Sequence, residues 1–92
     1  MQYDDDYYVQ LHGTAFMQLI GSLAQQVIIC LGLDSDRQMS PNLEAAELTM
    51  NWLDVLKEKT EGNLHAEESE FLEAAITETK LRYYEVVRKS DC

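Results

Sequence analysis

The chain has 92 residues, 46% of them hydrophobic and 26% charged, which is enough for one domain with a modest core. Seventeen acidic against seven basic side chains give a net charge of −10, a field that repels phosphate backbones and anionic lipid. Nucleic acid and membrane surfaces are therefore not expected partners. One proline, four glycines and two cysteines exclude a low-complexity chain and a disulfide framework.

The chain opens with MQYDDDYY, acidic where a secretion signal is basic, and no cleavable apolar segment follows it directly. A reducing, cytoplasmic location is the expectation. Residues 1–13 read as an acidic, tyrosine-rich arm, because acidic runs are usually solvated. Gly13 is expected to interrupt any earlier helix and Thr14 to cap the first one.

The first helix is expected over residues 14–31, inside a run from Tyr7 to Leu33 without a formal charge. At about 100° per residue, Phe16, Leu19, Ile20, Leu23, Val27, Cys30 and Leu31 share one broad face. Met17, Ala24 and Ile28 widen it to about half the circumference. Gln18, Ser22, Gln25 and Gln26 take the rest, together with Ile29. The glutamines, and aspartates on both flanks, argue against a membrane span. Cys30 reads as a small buried hydrophobe and Cys92 as a terminal residue. Gly32 suits the left-handed position just past the helix.

The linker from Leu33 to Met39 contains Asp34-Ser35-Asp36, but Met39 and Ala45 stand where a calcium loop needs Gly and Glu. No calcium site is expected. Ser40-Pro41 reads as a cap followed by a first-turn proline, opening a second helix over 41–60. Its polar face is confined to Glu44, Glu47, Asn51, Asp54 and Glu58. Leu43, Ala46, Met50 and Leu53 form one apolar stripe, and Ala45, Leu48, Trp52, Val55 and Leu56 a second, so neighbours are needed on two sides.

The third helix is expected over 66–88. Leu72, Ile76, Thr79, Tyr83 and Val86 step by four and three, the spacing of a seam, while Leu81 and Tyr84 lie off it. The expected fold is thus all-α, a single three-helix domain over 14–89 with a tail at 90–92. Such a unit has more apolar arc than it can cover, which favours a homo-oligomer, most simply a dimer built on the first helices. Phe16, Ile20, Leu23, Ala24, Val27 and Leu31 are the candidate interface, with Gly21 and Ala24 allowing close approach and Gln25 or Gln26 bonding across a two-fold axis.

Leu23-Ala24-Gln25-Gln26 with Gly32, then the run from Leu53 to Leu64 ending KEKTEGNL, then Leu81-Arg82-Tyr83, occur in that order. Over roughly residues 16–84 the chain resembles the small bacterial family of domain of unknown function DUF1844. The resemblance implies a short, all-helical bacterial protein without a transmembrane span, and brings no activity with it. The chain departs from the family at His65, where Ser or Thr usually caps the third helix.

In physical terms KEKTEGNL ends a helix at Lys59-Thr60, turns at Gly62 and tucks Leu64 under the third helix. As a site it would be a partner-docking corner of Lys57, Lys59, Gly62 and Asn63. His65 and Glu68 are one turn apart, but the order opposes a carboxylate-bridged metal bundle and occurs once, so Glu68 reads as part of a solvated acidic face. No catalytic residues, cofactor or metal are assigned, and an enzyme is not expected. The expectation is a non-enzymatic oligomerisation or protein-interaction module, which binds itself and possibly one further protein. The alternative is a small-molecule or metal-binding bundle with a pocket at Trp52, Met50 and Tyr83.

Overall fold

A computed structural model describes the backbone of residues 5–33 and 41–90 and the side chains of 14–33 and 41–89. Three helices follow one another: α1 (Asp5–Cys30), α2 (Leu43–Lys59) and α3 (Ala66–Ser90). Among the described residues there is no strand.

α1 starts well before Thr14, so neither the cap at Thr14 nor the break at Gly13 holds. A single glycine costs a helix about 1 kcal/mol. Once a helix exists, each added residue brings a hydrogen bond without a new nucleus, and no proline interrupts residues 5–13. The backbone of most of the expected arm is therefore helical, while its side chains lie outside the described residues.

At the other end α1 closes as expected. Gly32 has φ 76°, the Gly32 N–H donates to Ile29 O at 3.0 Å, and the Leu33 N–H donates to Ile28 O at 3.1 Å. These two bonds satisfy carbonyls that the helix itself leaves open. The next helix is tied to this end: the Asn42 N–H donates to Cys30 O at 2.7 Å.

α2 begins two residues later than expected, and its cap is Asn42. The Asn42 carboxamide oxygen accepts from the Ala45 N–H at 3.1 Å, and its backbone is extended, as a cap requires. Ser40 lies outside the described residues, and Pro41 stands just ahead of the cap. Asparagine caps as well as serine does, and the contact to Cys30 selects it.

α3 begins at Ala66 as expected and extends to Ser90. His65 acts as its cap residue, with the Ser69 N–H donating to His65 O at 2.9 Å. Glu68 reaches back and accepts from the His65 N–H at 2.8 Å. This is the carboxylate half of a capping box. Glu68 is buried, only 8% exposed, so it belongs to the helix start and not to a solvated face.

The core has two parts. Ile20, Leu53, Leu72 and Ile76 form one, joined by Phe16, Leu23, Leu56, Leu64 and Ala75. Val27, Leu31 and Ala46 form the other, joined by Cys30, Leu43, Met50, Tyr83 and Val86. Thr49 and Thr79 are buried with them, and each hydroxyl donates to the carbonyl one turn back at 2.9 Å. The expected seam of α3 is thus its inward face, and Leu81 and Tyr84 do point outward.

Polar contacts link α2 to α3 along one edge: Lys57 to Glu73 at 3.6 Å, Asp54 to Lys80 at 3.6 Å, and the Tyr83 hydroxyl donating to Glu47. Positions fall along α2 as they rise along α3, so the two run antiparallel. The described residues measure 57 × 27 × 16 Å, and each helix packs against the other two.

Candidate interaction surfaces

α1 lies with Ile20, Val27 and Leu31 against its own chain, each 2% exposed or less. Phe16 and Leu23 pack on the first core cluster, and Ala24 is half-buried. The side chains expected to join two copies are therefore largely consumed within one. A helical wheel ranks arcs by greasiness, but only tertiary packing decides which arc α2 and α3 cover. Gly21 faces α3: a Cβ there would stand 4.0 Å from Phe71 Cζ.

What remains outward on α1 is a different row. Ala15, Leu19, Ser22, Gln26 and Ile29 are all exposed and step by four, three, four and three. Leu19 is 48% and Ile29 45% exposed. Thr14, Gln18 and Gln25 stand beside the row, so no exposed side chain between 14 and 33 carries a formal charge. The Gln26 amide donates to Cys30 Sγ at 3.6 Å, within the helix. This row was readable in the sequence as a seam of its own, but Leu19 counts there with the core face and Ile29 with the polar remainder.

α2 shows a second outward row, Leu48, Trp52 and Val55, with Trp52 46% exposed. Glu44, Asn51, Glu58 and Lys59 are also exposed on this helix. Met50 and Tyr83 share the second core cluster, whereas Trp52 lies on the opposite side of α2 and faces outward. The expected pocket of Trp52, Met50 and Tyr83 is not assembled.

The KEKTEGNL corner folds as its sequence demands. Thr60 ends α2 with its hydroxyl donating to Leu56 O at 2.6 Å, Gly62 has φ 83°, and the Asn63 N–H donates to Thr60 O at 2.9 Å. Leu64 then joins the first core cluster. Beside this turn lies a cleft of about 420 Å³ with Leu64 and Leu72 in its wall and Asp54, Glu58, Glu61 and Glu73 among its charges. Lys57 and Gly62 line it, whereas Lys59 and Asn63 do not. Lys57 is moreover paired with Glu73.

Elsewhere the charges are arranged for the helices. The Arg82 guanidinium bonds Glu78 at 2.9 Å and Glu85 at 3.5 Å, and the bond to Glu78, with both carboxylates nearby, raises its already high pKa. The Tyr83 phenol is pushed above its ordinary value, first by its bond to Glu47 and then by burial. Among the described residues, no three His, Cys, Asp or Glu side chains are grouped to hold a metal ion, and no helix is long and apolar enough to cross a membrane. Cys92 lies outside the described residues.

Compared with known families, residues 13–85 match the model of a domain of unknown function (DUF1844). No curated protein and no solved structure matches the chain.

Proposed function

For this chain, which belongs to the DUF1844 family, we propose a non-enzymatic role as a small bacterial, cytoplasmic module that associates with itself and offers its acidic remainder to a second protein. One observation carries the reading. The most exposed apolar side chains of α1 sit on a face without formal charge, in a molecule of net charge −10. A face of that kind is costly to leave in water, and it is where two strongly acidic bodies meet without opposing carboxylates.

The test is solution mass against concentration. A particle that holds a fixed multiple of the 10.6 kDa chain mass at micromolar concentration fits the proposal. A particle that stays a single chain at several hundred micromolar overturns it. The cleft beside Gly62 favours a second reading, a ligand-binding bundle, with Leu64 and Leu72 as apolar wall and a carboxylate rim. That reading predicts a rise in melting temperature when a hydrophobic amine is added.

A further inference from the structure

We propose that two copies pair through the outer row of α1 in an antiparallel arrangement, with Leu19 of one copy on Ile29 of the other and Ser22 on Gln26. This rests on the self-association reading above and adds its surface, direction and register.

The row Ala15, Leu19, Ser22, Gln26, Ile29 repeats by four and three, the spacing with which one helix seats knobs in another. A surface carrying that repeat is complementary to itself, as a two-fold interface demands. Its lack of charge favours a second copy over a different protein. The exposed faces of α2 and α3 bear carboxylates in this −10 chain, and copies meeting there would set like charges together.

Direction follows from the helix dipoles. A parallel pair would align the dipoles of the two α1 helices along their whole contact, whereas an antiparallel pair opposes them. Register follows from the side chains. Antiparallel layers alternate the two seam positions, and of the few possible offsets only one sets both large apolar residues together. That offset pairs Leu19 with Ile29 twice and leaves two central polar layers between these pairs, in each of which the Ser22 hydroxyl donates to the Gln26 amide oxygen. Polar layers inside such a seam fix its register.

The experiment compares the native chain with Leu19→Glu, Ile29→Lys and the double variant by sedimentation equilibrium. Both positions are about half exposed in the single chain, so circular dichroism and melting at low concentration report whether each variant folds. The native protein is expected at twice the 10.6 kDa chain mass. Each single variant should dissociate at least about tenfold more readily. The double variant should associate more tightly than either, because only antiparallel copies set the introduced carboxylate of one chain against the introduced ammonium of the other. A parallel pair would instead oppose like charges and make the double variant the weakest. Native dimers with unaffected single variants would sink the surface while sparing self-association. A double variant weaker than both singles would sink the direction. A native protein that is monomeric throughout would overturn both readings.

Discussion

Gly62 and Gly21 are predicted to respond to the same substitution with opposite signs. Gly62 has φ 83° and nothing within 4 Å of an added Cβ, so Gly62→Ala strains the backbone without a clash. Stability should fall by about 1 kcal/mol in urea denaturation, and Gly62→Asn should fall less. Gly21 lies inside α1, where an added Cβ meets Phe71 Cζ at an ordinary 4.0 Å. Gly21→Ala should therefore raise stability by about 0.5–1 kcal/mol through helix propensity. Glu68 invites a similar contrast. Glu68→Gln keeps an oxygen for the His65 N–H and should cost little, whereas Glu68→Ala frees that N–H and should lower the melting temperature by several degrees, the equivalent of about 1 kcal/mol.

Tyr83 links pH to stability. Its pKa is raised in the fold by the bond to Glu47 and by burial, so the protonated phenol is the form that the fold favours. Its contribution is complete below about pH 10, the value for an unfolded tyrosine, and fades as pH climbs through the higher folded value. Denaturant midpoints taken at pH 9 and pH 11 should therefore drop further for the native chain than for Tyr83→Phe. In ultraviolet titration the variant should lack a late-ionising tyrosine.

Among the helices, α3 was the most legible from sequence. Its seam at Leu72, Ile76, Thr79 and Tyr83 is regular, and a regular seam has one inward direction. The stops at Gly32 and Gly62 were legible for a related reason: few residues other than glycine tolerate positive φ. The starts of α1 and α2 were not. Capping residues compete at neighbouring positions, and the bond from Asn42 to Cys30 that favours one of them crosses between helices. The outer row of α1 was hidden by abundance, because a helix rich in apolar residues all round does not announce which arc its neighbours will cover. Leu53→Ala tests the resulting assignment of the inner face. It deletes a fully buried side chain and should cost about 2–5 kcal/mol, a large part of the stability of a domain this size.

As a whole, the described residues of this 92-residue chain spread over 57 × 27 × 16 Å. A chain of this length packed as a sphere would have a radius of gyration of about 12 Å, against the 15.7 Å found here. The candidate corner at Gly62 was half legible. Its turn is written in the local sequence, but the cleft depends on Leu72 and Glu73 of α3, which no local motif places there.

The hydrogen bond from Asn42 to Cys30 ties the entrance of the second helix to the exit of the first. Chain inserted between the pinned ends lengthens a loop that is already closed, and each doubling of such a loop costs only about 0.6 kcal/mol. A reporter tag or a fused domain carried between the first two helices should therefore leave stability nearly unchanged, because the helix ends that flank it are already held together.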